Sequence, residues 1–329
     1  MRRGFATATI CVLSVAALAA CMNAGTGPGT ASASVTNAPT PGSSSGSGST
    51  LAAGQQVIID YCSHQEARIL EPTRLHGPAP AAVYVHGGSW ISGDYDTGGF
   101  IINAIGPALA ARGVVVVSLD YRLGPRGHWP DQIVDVKCAI RYLRANAKRF
   151  HIDPKEIGAW GQSAGGHLVA LLGTAGPEAG WDIGAYRNES SRVQSVVDMA
   201  GPSDLLTMGD QGDAVLVAEN FISLLGGVPS KQLGADLKKA SPTTYVAHGD
   251  PPFLILDSNN DEIVYPEQSQ ELAWYLGLAG VPHQLVTVFD GGHEFDTVGE
   301  IPSESQIIAT VVSFFVDTLV EHQTPAQGA

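Results

Sequence analysis

The chain has 329 residues, 44% of them hydrophobic and 15% charged, which is too apolar for an intrinsically disordered protein. Eighteen Lys and Arg against 32 Asp and Glu leave a formal net charge of −14, so no basic surplus exists to neutralise phosphates and no nucleic-acid partner is expected. Acidity of this size favours solubility and carries no information about fold.

Met1-Arg2-Arg3 precedes an apolar run from Phe5 to Ala20, shorter than the ~20 residues a spanning helix needs, and residues 1–20 read as a secretory signal peptide. Leu18-Ala19-Ala20-Cys21 resembles a bacterial lipobox. With Cys21 lipidated, the protein is expected on the extracytoplasmic face of a membrane, held by its lipid anchor; simple secretion is the alternative. Residues 21–54 are Gly, Ser, Thr, Ala and Pro in the main and carry no charge, a composition that predicts a disordered tether. One folded domain is expected over 55–322, followed by a polar tail, 323–329.

Apolar runs without alternation, as in strands buried on both faces, occur at Ala82–Val85, Val114–Leu119, Ile157–Trp160, Val196–Met199, Pro252–Leu256 and Leu285–Phe289. Helical spacing separates them at Pro130–Phe150, Ala164–Leu172, Pro266–Ala279 and Pro302–Glu321. This alternation predicts an α/β fold with a mostly parallel central sheet and helices on both faces. Only about 27 residues separate Gly54 from Ala82, too few for capping helices as well as leading strands. The stretch from Pro202 to Pro251 holds one expected helix, Ala214–Leu225, and leaves room for a small lid at most. On the helix Pro130–Phe150, Ile133, Val136, Ile140, Leu143 and Ala147 share a face and Cys138 falls opposite, facing outward. An outward thiol in an exported protein tends to be oxidised, so a disulfide between Cys62 and Cys138 is expected.

Gly161-Gln162-Ser163-Ala164-Gly165 has the G-x-S-x-G pattern of a nucleophile elbow. The pattern alone is weak, since Gly42-Ser43-Ser44-Ser45-Gly46 in the tether shares it, but only Ser163 stands between an expected strand and an expected helix. His86-Gly87-Gly88-Ser89-Trp90 follows a strand, where glycines let backbone amides turn toward a developing oxyanion. Gly88 is the best donor there, Gly87 or Ser89 the second, and the amide of Ala164 a further one. Ligands of such sheets gather at the carboxyl ends of the strands, and the elbow fold orders its partners as serine, acid, histidine. His283 opens a strand and His322 ends a helix, whereas His293 follows a strand's carboxyl end and is the expected base. His86 and His167 read as hydrogen-bonded structural residues. Asp257, Asn259 and Asp261 suggest a calcium loop, but Glu262 and Gln268 stand where the glycine and the bidentate glutamate belong, so no metal is expected. Asp261 is the expected acid, with Asp257 in reserve.

With these residues in place, the domain resembles the α/β-hydrolase fold, and more narrowly its HGG-motif esterase branch, the hormone-sensitive-lipase-like and feruloyl-esterase-like (BD-FAE) group. The resemblance rests on His86 to Trp90, Gly93-Asp94, Asp120 to Leu123, Gly161 to His167, Gly201 to Asp204, Ser241-Pro242, Pro251 to Leu256, Asp261 and Gly292 to Phe295. The HGG-x-W form is also similar to kynurenine formamidase. Ser89 departs from the group's usual glycine, and Leu256-Asp257-Ser258 from its usual His-Gly-Asp. The resemblance implies a serine carboxylesterase with Ser163, Asp261 and His293 as triad, needing no cofactor and acting on a small-molecule or polysaccharide-linked ester. An amidase, formamidase or serine peptidase with the same triad is the alternative, and a non-catalytic binding module on the same fold a remoter one.

Overall fold

The computed structural model describes residues 52–211, 224 and 233–323. The signal segment, Cys21, the tether as far as Leu51, the helix expected at 214–225 apart from Leu224, and residues 324–329 lie outside the described residues.

Eight strands form one sheet: β1 (Gln56–Tyr61), β2 (Gln65–Leu70), β3 (Ala79–Val85), β4 (Val115–Leu119), β5 (Ile152–Gln162), β6 (Val196–Met199), β7 (Phe253–Ser258) and β8 (His283–Val288). Their order is β1-β2-β4-β3-β5-β6-β7-β8. β2 runs antiparallel to both of its neighbours, and the pairs from β4 through β3 to β8 are parallel. This is the mostly parallel, helix-covered sheet expected from the alternating pattern, and it agrees with the α/β-hydrolase fold that the motif resemblance implies. The parallel strands all point their carboxyl ends the same way, which gathers the loops after β3, β5, β6, β7 and β8 at one end of the sheet.

Both faces of the sheet are covered, which is why its strands read as continuous apolar runs. On one face Val83, Val85, Val117 and Ile255 pack with helices α3 (Asp131–Ala145) and α4 (Ala164–Thr174). On the other, Tyr84, Trp160, Val116 and Val197 meet α1 (Gly99–Asn103), α2 (Ile105–Ala111) and the C-terminal helix, Glu304–Phe315. Trp160 and Phe315 meet edge to face, 6.0 Å between centroids. Among the described residues no helix is long and apolar enough to cross a membrane.

Several elements differ in extent from their sequence patterns. The helix expected over Pro130–Phe150 ends at Ala145, where Asn146 turns its side-chain amide back onto the Tyr142 carbonyl and turns lead into β5. The last helix starts at Glu304 behind a capping box of Ser303 and Gln306 and closes with a π turn, Val316–Val320. β7 continues past Leu256 to Ser258, so Asp257 belongs to the strand rather than to the loop after it. Cys138 is buried, not outward. The face of α3 turned away from the sheet is covered by residues 182–191: Lys137 donates to Ser191 and Asp182, and Arg141 to Asp182 and the Ile183 and Ala185 carbonyls.

Cys138 is disulfide-bonded to Cys62, in the turn joining β1 to β2, and so ties the edge hairpin to α3 across a sequence separation of 76 residues. Closing so long a loop restricts the unfolded chain. Replacing both cysteines by serine is expected to cost roughly 2–5 kcal/mol in denaturant unfolding. Mass spectrometry of exported protein, alkylated without reduction, is expected to find the two peptides joined; two alkylated thiols would contradict the bond.

Candidate active site

β5 runs without a break into Ser163, whose backbone takes φ 57° and ψ −122° before α4 begins at Ala164. A non-glycine residue in that region costs about 1–3 kcal/mol and persists only when its surroundings enforce it. Two contacts do so here: the Ser163 amide donates to the Met199 carbonyl at 2.9 Å, and its own carbonyl accepts the His167 amide at 3.0 Å. The flanking glycines permit the turn sterically. A Cβ on Gly165 would lie 1.9 Å from the Val85 carbonyl oxygen, and one on Gly161 would lie 2.5 Å from Gly165.

The Ser163 hydroxyl is 2.9 Å from Nε2 of His293, and Nδ1 of His293 is 2.7 Å from Oδ2 of Asp261. His293 lies in the loop after β8 and Asp261 in the loop after β7, so three strand ends meet in one hydrogen-bonded line. The other oxygen of Asp261 accepts the Ile263 and Val264 amides at 2.8 and 2.9 Å, which fixes the carboxylate. The Asp261 side chain is fully buried, and that of His293 is 8% exposed. With Nδ1–H held by the carboxylate, Nε2 is left as a lone-pair nitrogen facing the Ser163 hydroxyl.

The turn after β3 lies against the serine. A Cβ on Gly87 would sit 3.3 Å from Ser163 Cβ and 2.8 Å from Gln162 Oε1, so the backbone approach needs glycine. Gly88, Ser89 and Trp90 follow with φ of 101°, 52° and 60°. Among the described residues the amides of Gly88 and Ser89 donate to no protein acceptor. The Ala164 amide stands in the first turn of α4, where no intrahelical acceptor exists. Gly87 thus lies against Ser163 and Ala164 follows it in the chain, with Gly88 and Ser89 continuing the same turn.

The remaining candidates sit elsewhere. Asp257 is buried within β7, opposite Thr287, and burial, helped by the Asp261 carboxylate, pushes its carboxyl up to about 6. Its hydrogen-bond partners do not include His293. His283 opens β8 and bonds the Val281 carbonyl, and His322 lies beside Glu156 at the exposed end of the last helix. His86 and His167 are fully buried, and desolvation lowers each to about 4. Three residues that the motifs do not mark bind the loops together. Gln162 donates from Nε2 to the His293 carbonyl at 3.0 Å. Asn259 and Asn260 accept the Asp290 and Gly292 amides at 2.8 and 2.9 Å, joining the acid loop to the histidine loop. Only the neighbouring Asp261, and for Asn259 the discarded calcium-loop pattern, hinted at the two asparagines, and nothing but its place in the elbow hinted at Gln162. Among the described residues no group of His, Cys, Asp and Glu has the arrangement of a metal site.

The sequence profile of the BD-FAE family matches residues 68–276. Esterase LipC of Mycobacterium tuberculosis is 32% identical over 221 residues, 63% of this chain and 53% of that protein. An isoprenylcysteine α-carbonyl methylesterase of Arabidopsis thaliana is 28% identical over 225 residues, 65% of this chain and 50% of its own length. The chain spans about half the length of these curated relatives. Among solved structures, a truncated carbohydrate esterase from gut microbiota superposes with a TM-score of 0.68 at 29% identity, covering 80% of this chain and 96% of that one. The butyrate-bound esterase Est2 of Thermogutta terrifontis gives 0.66 at 25% identity, covering 83% and 96%.

The hydrogen-bond line separates the two aspartates experimentally. Asp261→Asn, which cannot hold the Nδ1–H tautomer, is expected to lower the kcat of the serine-dependent reaction by up to about 10⁴-fold, and Asp257→Asn to change it less than tenfold. Steady-state kinetics of the two variants that ranked them in the opposite order would move the acid to Asp257.

Proposed function

Because the chain belongs to the BD-FAE family of α/β-hydrolase esterases, we propose that it is a carboxylic ester hydrolase in which Ser163, His293 and Asp261 form the catalytic triad. The observation that carries this reading is the continuous line from Ser163 Oγ through the imidazole to Asp261, seated on the strained elbow. His293 Nε2 takes the Ser163 proton as Oγ attacks the acyl carbonyl. The oxyanion that forms accepts amides from the Gly87–Ser89 turn and from Ala164. His293 then gives its proton to the leaving alkoxide as the C–O bond breaks, and an acyl-enzyme remains. Water, deprotonated by the same nitrogen, attacks the acyl group; the acid leaves and Ser163 is restored. Asp261 stays ionised throughout and balances the imidazolium.

The substrate is an ester of a short acyl group, small or polysaccharide-linked. Support comes from the sparse chain available for a cap and from similarity to a butyrate-bound esterase and a carbohydrate esterase. The site works outside the cytoplasm, on a protein held to its membrane by lipid on Cys21; this part rests on the N-terminal sequence alone.

A panel of nitrophenyl esters from acetyl to dodecanoyl, with matching anilides, tests the chemistry. Turnover is expected to be fastest from acetyl to butyryl, faster than for the anilides, and lower by roughly three or more orders of magnitude in Ser163→Ala. A fluorophosphonate probe should label Ser163 and nothing else. Labelling that survives Ser163→Ala would refute the triad, anilides cleaved as fast as esters would make it an amidase, and kcat/KM rising steadily to long chains would refute the short-acyl substrate.

Cellular fractionation tests the anchor separately. Cys21→Ser is expected to move the protein from the detergent phase to the medium or to an uncleaved precursor. Unchanged partitioning would remove the lipid from the reading.

A further inference from the structure

The oxyanion turn holds two consecutive non-glycine residues, Ser89 and Trp90, at positive φ. Such a conformation survives only if neighbouring groups hold it. Backbone bonds account for part of the restraint: the Ile91 and Ser92 amides donate to the Gly88 carbonyl at 3.0 and 3.1 Å, and the Gly124 amide to the Trp90 carbonyl at 3.0 Å. These bonds close the turn on itself and onto the loop after β4. None of them ties it to the nucleophile.

The Trp90 side chain does. It is 2% exposed, and its indole N–H reaches 3.2 Å to Nδ1 of His167 on α4, the helix that begins immediately after Ser163. The two rings meet edge to face, 5.2 Å between centroids. His167 Nε2 lies 2.7 Å from the Ala240 carbonyl oxygen, which can only accept. Nε2 therefore carries the ring proton, and Nδ1 is left as an acceptor, which is what an indole donor requires. Both nitrogens are committed, so His167 has no lone pair or proton free for chemistry. Burial lowers its pKa to about 4 and keeps the ring neutral, so the acceptor persists at ordinary pH. Trp129 packs against the same imidazole at 6.1 Å and against Trp181 at 5.0 Å.

We infer that His167 is a positioning residue for the oxyanion turn, holding Trp90, and through it the amides of Gly88 and Ser89, in register with the serine one helical turn away. The inference rests on the reading of Ser163 as an acyl nucleophile. It makes the nucleophile helix the reference for both parts of the site. Ser163 stands at its start, and the group that fixes the oxyanion donors stands four residues further along. An error in that register acts on the transition state, where charge is on the oxygen, more than on the bound ester, where little has developed.

The test uses the full chain and three substitutions. Trp90→Phe keeps the ring and removes the donor. His167→Leu removes both of its bonds, and His167→Asn returns an acceptor oxygen close to the place of Nδ1. Trp90→Phe and His167→Leu are expected to lower kcat on a short-chain ester about 10- to 100-fold with KM within twofold. Affinity for a trifluoromethyl ketone, which forms the oxyanion adduct with the serine, should fall by the same factor as kcat/KM, and His167→Asn should recover most of both. Trp90→Phe is the variant that keeps the test decisive if His167→Leu does not fold. Wild-type kcat and ketone affinity in a folded Trp90→Phe would overturn the inference, as would a loss carried by KM alone or a His167→Asn no better than His167→Leu. A wild-type protein inert to every ester would instead overturn the function on which the inference rests.

Discussion

The site depends on one backbone conformation, that of Ser163. Its φ of 57° turns the chain from β5 into α4 within a single residue and puts the hydroxyl above the carboxyl end of the sheet. That turn is possible only where the backbone can be crowded, and Gly161 and Gly165 are in van der Waals conflict with any larger side chain. It also requires a particular neighbour. Val85, whose carbonyl leaves no room at Gly165, pairs with Gly161 in the β3–β5 ladder. The same strand then continues into His86 and Gly87, which brings the oxyanion turn to the serine. Placing β3 beside β5, although β4 lies between them in sequence, is thus a condition for the chemistry as much as a property of the fold.

The loops that carry the acid and the base are far apart in sequence yet are held as one piece. Asn259 and Asn260 take amides from the histidine loop, Gln162 takes its carbonyl, and the paired strands β7 and β8 set the distance between their roots. Catalytic groups on loops lose effectiveness if they wander by an ångström. Here three side-chain amides supply the restraint that regular secondary structure does not. Amide side chains suit this task because they bond to backbone without adding charge beside the Asp261–His293 pair.

The fold and the convergence of Ser163, His293 and Asp261 were legible because each depends on local chemistry. Strands buried on both faces must be apolar throughout, and an elbow must have small residues around its serine. What was not legible depends on what folds over what. Lys137, Cys138 and Arg141 make one face of α3 look solvated, and the structure covers that face with residues 182–191, where the Ile183 and Ala185 carbonyls and Asp182 receive the two cations. A polar stripe reads as exposed unless its partners are known, and those partners come more than forty residues later. α1 and α2 escaped for a different reason. Gly98, Gly99, Gly106 and Pro107 look like loop punctuation, although Pro107 stands in the first turn of α2, where its missing N–H is no loss. Gln162, Asn259 and Asn260 have no signature of a clamp, because an amide is equally at home in a turn, on a surface or between loops, and Asn259 stood out only as part of the discarded calcium-loop pattern.

Three histidines lie within or beside the serine's surroundings, and their partners separate their roles. His86 donates Nδ1–H to the Gly87 carbonyl and stacks on Tyr121 at 4.4 Å. His167 gives its proton to a carbonyl and its lone pair to an indole. Neither ring is hydrogen-bonded to a carboxylate, and desolvation outweighs the carbonyl bond of each and the charge of Asp94 near His86, bringing both down to about 4, so a proton taken up by either ring is a poorly compensated buried charge. His293 differs in one respect: Asp261 Oδ2 lies 2.7 Å from Nδ1, with the other carboxylate oxygen held by two backbone amides. An imidazolium formed there is balanced where it forms. Proximity to the serine admits three histidines, and the cost of charging the ring favours His293 for the role of base proposed above.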